Sequence, residues 1–457
     1  NRNIRIEDEQ EIDHSGLVSN ITKYAKRVDS IDSAIEAINI GCREAVSGRK
    51  GPVLLDFSAK ILKSEVEIAN QYMDACNNES NNELDKCIIE IKKILQKARR
   101  PVFLIGDGVR MSGVGEDIGG LAKELGIPIL SSRFSQDIVS KYENYFGYIG
   151  SHGLRYSNFI LSKTDSIISF GNRMAFQVES ESFRTAIDKM SIVRVDIDQQ
   201  ELLRDIPNTS GYCVDIKKLV PRLTKEEILP VDSEWMNICN TLRDELKNYD
   251  INFGIEKLSN LIDLLNEDET IVCDIGNNEL LVSRAYAISG NGRKMLHSKA
   301  FKTVGSAIGK AIGAYYAGRK RVLCIVGDQG IQFNIQELQH ISSNQLPIVI
   351  VICNNDASEM LKDSERRQGY QYDLHTTLKS GYSHPDFKKI ANAYEIKYAA
   401  VEYLDNAEIE VSEDGPQIIE LFLGECCGIQ QRLPKGYPCQ MFLPEIDKEL
   451  YSYLDNL

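Results

Sequence analysis

The stretch from Val322 to Ala357 constrains the fold of this chain more than any other. An apolar run, Val322 to Val326, stops at Gly327-Asp328. A second, Ile348 to Cys353, stops at Asn354-Asn355. Between them Ile331, Ile335, Leu338 and Ile341 recur at helical spacing. The pattern predicts strand, turn, helix, strand, with two parallel neighbours that each end on polar residues.

Crevices at the carboxyl ends of parallel strands are where open α/β sheets bind ligands. Asp328 and Asn355 would lie side by side there. A carboxylate, an amide oxygen and a backbone carbonyl, here that of Ala357, form a hard oxygen set that suits Mg²⁺. Such an ion keeps few protein ligands and takes the rest from phosphate and water. Gly330 and the start of the following helix supply backbone N–H groups on which a diphosphate could sit. The plainer alternative is that Gly-Asp and Asn-Asn are turns closing two strands.

The 457 residues leave room for about three domains. At 42% hydrophobic and 26% charged, the composition is that of a soluble globular protein. No apolar run approaches the roughly 18 residues a membrane span needs. A formal charge of −14 argues against nucleic acid as a partner. The eleven cysteines form no CxxC and read as reduced, largely buried thiols, which points to the cytoplasm. The charged start, NRNIRIEDEQEID, lacks the apolar core of a signal peptide.

Residues 1–75 contain an amphipathic helix over Ile31 to Ser47, with Ala34, Ile35, Ala37, Ile38 and Ala45 on it, and one strand after Gly51-Pro52. That is too little to bury a core alone, so the segment must complete something. The polar run Asn77 to Glu83 reads as a linker. In residues 85–222, strands at Pro101 to Ile105, Ile127 to Leu130, Ser166 to Phe170 and Ile192 to Asp196 alternate with helical segments. That alternation predicts a parallel, doubly wound, Rossmann-like domain. Gly106-Asp107-Gly108 begins a dinucleotide fingerprint that Met111 breaks. In residues 232–457 a strand over Thr270 to Ile275 stops at Gly276-Asn277-Asn278-Glu279, where the asparagines could equally be helix caps. Lys302 to Ala314 reads as a helix whose small residues allow close backbone packing. Asp356 to Gln371 is charged and reads as a polar loop, with Glu359, Met360, Arg366 and Arg367 as lid candidates. Later strands are expected at Ile396 to Val401 and Gln417 to Leu423. The fold class is therefore α/β, with consecutive doubly wound parallel sheets.

Gly327-Asp328, the gap, and Asn354-Asn355 together resemble the diphosphate-binding motif of thiamine-diphosphate enzymes, in which Gly-Asp-Gly precedes Asn-Asn. Gln329 stands where that motif has glycine, so either the turn is made differently or Gln329 is strained. The likeness extends over essentially the whole chain to the acetolactate synthase group. Ile21-Thr22-Lys23 and Gly51 to Asp56 resemble the tail of its pyrimidine-binding domain. The glutamate that activates the cofactor would lie before Asn1. Ser151-His152-Gly153, Gly171-Asn172-Arg173 and Asp196-Ile197-Asp198 resemble flavin-contact segments. An acidic pair is replaced by Met174-Ala175-Phe176-Gln177, so FAD is either bound or vestigial, and His152 is then a loop histidine. The resemblance implies a thiamine-diphosphate-binding fold with Asp328, Asn355 and the Ala357 carbonyl on Mg²⁺. It implies Asn277, Asn278, Thr303, Gln329 and Gly330 around the cofactor, and Val304 as the apolar wedge that bends it. The implied reaction decarboxylates pyruvate or another 2-oxo acid and joins the two-carbon unit to a second carbonyl compound. Alternatives within the family are a simple decarboxylase, a cyclic-diketone hydrolase or a non-catalytic relative. A homodimer or homotetramer is implied, because the family's site lies between subunits.

Overall fold

The computed structural model describes residues 12–65, 81–175, 181–298, 302–405, 409–424 and 431–457. Three sheets follow one another along the chain, and every strand pair in them is parallel. The first joins β1 (Tyr24–Val28) to β2 (Val53–Phe57). The second contains β3 (Pro101–Ile105), β4 (Ile129–Ser131), β5 (Tyr145–Tyr148), β6 (Ser166–Phe170), β7 (Ser191–Asp196) and β8 (Thr209–Cys213), in the order β5-β4-β3-β6-β7-β8. The third contains β9 (Thr270–Cys273), β10 (Lys294–Leu296), β11 (Val322–Gly327), β12 (Ile348–Asn354), β13 (Lys397–Val401) and β14 (Gln417–Phe422), in the order β10-β9-β11-β12-β14-β13.

Strand alternation explains why the long apolar runs survive burial. In β3, Val102 and Leu104 join one core, while Phe103 and Ile105 join another on the opposite face. In β11, Leu323 and Ile325 face one core and Val322, Cys324 and Val326 the other. A strand buried on both faces needs apolar residues at every position, which is the signature of a parallel sheet wrapped in helices.

The anticipated strands form within a residue or two of their expected ends. Four others, β1, β5, β8 and β10, were not anticipated. They are short or sit at a sheet edge, so their sequences carry mixed polarity; β8 reads Thr-Ser-Gly-Tyr-Cys. The linker expected over Asn77 to Glu83 is partly helix, because a helix begins at Asn81; positions 77–80 lie outside the described residues. The helix Ile31–Val46 forms, yet only Ala34, Ala37 and Gly41 of it are buried, and Ile35 and Ile38 are 45% and 44% exposed. With Leu17, Ile21 and Leu62 also exposed, the first unit leaves apolar surface bare. Among the described residues no helix is long and apolar enough to cross a membrane.

Candidate functional site

The central crossover is irregular in a way that periodicity could not reveal. Beyond β11 the chain makes a 3₁₀ helix, Gly330–Glu337, interrupted at Asn334, whose φ of −137° is not helical; an α-helix, Leu338–Ser343, then leads to β12. β11 and β12 pair from Val322 opposite Ile348 to Gly327 opposite Cys353. Asp328 and Asn355 therefore leave adjacent strand ends, and both line one cavity of about 220 Å³. Asn277, Asn278, Val304, Gln329, Gly330 and Ala357 line it too. Of the residues singled out in the sequence for this site, Thr303 alone is not in the lining. It is exposed, and its carbonyl accepts the hydroxyls of Ser298 at 3.1 Å and Ser306 at 2.9 Å.

Asp328 is 3% exposed. Its Oδ1 accepts the Gln329 N–H at 2.8 Å, and its Oδ2 is buried with no partner among the described residues. Burial pushes its pKa up to about 6, against the pull of the neighbouring Tyr382 hydroxyl, the Gln329 and Asn355 N–H groups and His384. A buried carboxylate whose second oxygen has no well-formed hydrogen bond, with the Tyr382 hydroxyl beside it, is the chemistry of a cation ligand. Gln329 relaxes into the right-handed helical region, at φ −81° and ψ −41°, so the turn is made without the strain considered from the sequence. Its Oε1 accepts the Ser358 hydroxyl at 3.2 Å. Gly330 is required by packing: a Cβ there would stand 2.6 Å from Asp274 Oδ2.

Neither Asn277 nor Asn278 is a helix cap. Gly276, at φ +121°, caps the helix Asn277–Ser289 without a side-chain bond. Asn278 Nδ2 donates to the Asp274 carbonyl at 2.9 Å, while Asn277 Nδ2 is buried without a partner among the described residues. Three further expectations need correction. The helix anticipated from Lys302 starts at Ser306, leaving Val304 in the preceding turn, 43% exposed at the cavity. Gly309 and Gly313 have nothing among the described residues within 4 Å of where a Cβ would stand, so they serve no close backbone packing there. The polar loop after Asn355 contains a helix, Glu359–Arg367. Its Glu359, Met360 and Leu361 reach the cavity, Glu359 bonds Lys362 at 3.1 Å, and Arg366 and Arg367 are exposed.

Behind Asn355 runs a hydrogen-bonded chain that the sequence did not suggest. The Tyr398 hydroxyl donates to Glu420 Oε2 at 2.5 Å, and Asn354 Nδ2 donates to Glu420 Oε1 at 2.6 Å. Asn354 Oδ1 accepts the Asp356 N–H at 3.1 Å, and Asp356 Oδ1 meets His384 Nε2 at 2.7 Å. Asp356 has φ +55°, uncommon for a residue with a side chain, and this network holds it there. A second cavity, of about 210 Å³ beside Arg155 and Tyr451, contains none of these groups; its Arg155 is bound to Asp250 at 2.8 Å.

Residues 274–420 match the family described as thiamine pyrophosphate enzyme, C-terminal TPP binding domain, and residues 88–223 match the central domain of the same enzymes. This chain belongs to the thiamine pyrophosphate enzymes. Every residue lining the cavity except Leu423 lies within the TPP-binding match. This thiamine pyrophosphate enzyme is 26% identical over 448 residues to the acetolactate synthase large subunit of Lactococcus lactis subsp. lactis, covering 93% of this chain and 76% of that one. It is 28% identical over 430 residues to the probable acetolactate synthase large subunit of Methanococcus aeolicus, covering 86% and 70%. It is 25% identical over 446 residues to the acetolactate synthase isozyme 2 large subunit of Escherichia coli, covering 93% and 78%.

The residues present fit thiamine diphosphate, with a buried empty carboxylate oxygen and an empty amide donor in one cavity at the strand ends. They do not fit a flavin in the same way. Asn172 is spent on the Ile105 carbonyl at 3.0 Å and the Met174 N–H at 2.9 Å. Arg173 is spent on Glu201 at 2.7 Å, and Asp198 on the Gln200 N–H at 3.0 Å and Arg49 at 3.0 Å. Gly106 lies so tightly on Gly171 that a Cβ would be 2.1 Å from its carbonyl oxygen. Phe176, Gln177, Cys426 and Cys427 lie outside the described residues.

Proposed function

We propose that this chain is a thiamine-diphosphate- and Mg²⁺-dependent enzyme similar to acetolactate synthase. On this reading it decarboxylates pyruvate or another 2-oxo acid and ligates the two-carbon unit to a second carbonyl compound. The carrying observation is the convergence of Asp328, with its empty Oδ2, and Asn355 on one cavity. Asp328, Asn355 and the Ala357 carbonyl hold Mg²⁺ against the diphosphate. Among the described residues no three His, Cys, Asp or Glu side chains gather to bind a metal, so the phosphates complete the coordination. Asn277 would offer its unpartnered Nδ2 to the diphosphate, Gly330 would admit its close approach, and Val304 would present an apolar contact beneath the cofactor. When bound, the thiazolium ring supplies the electron sink that decarboxylation needs. We assign no role to FAD and none to Thr303.

Cys87, Cys239, Cys273, Cys324 and Cys439 are buried thiols, which supports a reducing compartment such as the cytoplasm. Val304 at the cavity and Phe333 beside Gly305 are exposed, 43% and 59% respectively, which supports at least a homodimer closing over the site.

Calorimetric titration with thiamine diphosphate and Mg²⁺, followed by product analysis with pyruvate, tests the reading. Metal-dependent binding with a five-carbon product is expected from a ligase. Acetaldehyde alone would assign a decarboxylase, turnover of a cyclic diketone a hydrolase, and absence of binding would end the enzymatic reading.

A further inference from the structure

Three walls of the cavity are separate in sequence: the Asn277-Asn278 turn after β9, the Val304-Gly305 turn, and the Gln329-Gly330 turn after β11. One residue touches all three, two of them through its side chain and one through its carbonyl. Asp274, directly after β9, is 0% exposed and anchored through its own N–H to the Ile325 carbonyl at 2.9 Å. Its carbonyl accepts Asn278 Nδ2 at 2.9 Å, and its Oδ2 accepts the Gly305 N–H at 2.7 Å. The same Oδ2 lies where it excludes any side chain at Gly330.

We propose that Asp274 is the positioning residue that sets Val304 in register with the diphosphate-binding turn. The proposal rests on the reading of the site given above. Gly305 caps the helix Ser306–Tyr316 but has no side chain with which to bond its N–H groups. The carboxylate of Asp274 does so from the neighbouring strand and satisfies a donor that the helix start would otherwise leave open. Gly305 sits at φ +81°, and a Cβ there would meet Phe333 Cβ at 2.4 Å; its carbonyl accepts Asn334 Nδ2 at 2.8 Å. The Val304 turn is thus clamped between Asp274 on one side and the Gly330–Asn334 turn on the other. Moving Asp274 moves the wedge and the phosphate floor together.

A linked pair of measurements tests this on the full chain. Dissociation constants for thiamine diphosphate at saturating Mg²⁺ are measured for wild type, Asp274→Ala, Val304→Ala and the double variant. Asp274→Ala is expected to weaken binding at least tenfold. Val304→Ala, which weakens wild type severalfold, should then change the Asp274→Ala protein less than 1.5-fold. Asp274→Asn, whose amide oxygen still accepts the Gly305 N–H, should restore binding to within threefold of wild type. Equal effects of Val304→Ala in both backgrounds, or no rescue by asparagine, overturn the proposal. Should Asp274→Ala not fold, Asp274→Ser, whose shorter hydroxyl withdraws from the Gly305 N–H, takes its place in the cycle. Amide hydrogen exchange at Gly305 and Ser306 is read in parallel without cofactor. Faster exchange in Asp274→Ala is expected, and unchanged exchange refutes the link. If wild type binds no cofactor while exchange still accelerates, the function assigned to the site fails and the clamp stands as structure alone.

Discussion

Asp328 and Asn355 illustrate how much a single residue's meaning depends on its neighbours. The sequence offered each either as an ordinary strand-closing turn or as a ligand. Burial with one carboxylate oxygen unfilled favours the ligand, since a turn aspartate would bond its own backbone through both oxygens or face solvent. Asp328→Ala is expected to weaken Mg²⁺-dependent cofactor binding at least a hundredfold, read by calorimetry, while raising the thermal stability of the cofactor-free protein, because it removes a buried carboxylate whose ionisation burial opposes. A variant less stable than wild type without cofactor would contradict that account. Asn277 and Asn278 were indistinguishable in sequence. The fold separates them, spending the amide of Asn278 on Asp274 and leaving that of Asn277 open to the cavity.

At the scale of elements, the site is made by turns that strands and helices hold from behind. Gly330→Ala places a methyl 2.6 Å from Asp274 Oδ2, and destabilisation of about 1–3 kcal/mol is expected in urea unfolding, typical of overpacking. The chain from Tyr398 through Glu420 and Asn354 to Asp356 fixes the turn that carries Asn355. Partners behind a metal ligand commonly govern affinity by about 10–100-fold. Glu420→Ala should therefore weaken apparent Mg²⁺ affinity in that range, in a metal titration at fixed thiamine diphosphate, with far-UV circular dichroism unchanged. An unaltered affinity would confine Glu420 to packing the sheet. The helix Glu359–Arg367 escaped the sequence reading because its polar face dominates; only Glu359 and Lys362 on it are buried, and these bury as a pair.

Across the whole molecule, the second and third units meet through an apolar cluster, in which Trp235, Leu242 and Leu454 pack with Val102, Phe159 and Ile167, and through buried polar groups beside it. Arg133, from the second unit, bonds Glu279 of the third at 2.9 Å, and His297 meets Phe134 at a tilt with ring centroids 5.0 Å apart. His152 lies against this junction. Burial, then the charges of Arg133, Arg284, Arg367 and Lys302, lower its pKa from 6.5 to about 4. The unfolded chain thus takes up the proton first, so stability is whole above about pH 6.5 and declines as pH falls towards 4, by at most about 3 kcal/mol from this residue. Melting temperatures from pH 7 to 4.5 should fall less steeply for His152→Gln than for wild type; parallel curves would remove His152 from the account. On its own, the sequence determined the parallel α/β class, the strands of both large sheets that are buried on two faces, and the residue types at the strand tips. These depend on local periodicity and on apolar runs that only a covered sheet can absorb. Tertiary structure alone decided that Thr303 is absent from the cavity lining, that Gln329 is relaxed, and that Asp274 and Glu420 bond the turns around the cavity. Those facts depend on which groups meet across tens or hundreds of residues, and a hydrogen-bond partner chosen by the fold leaves no trace in the spacing of the chain.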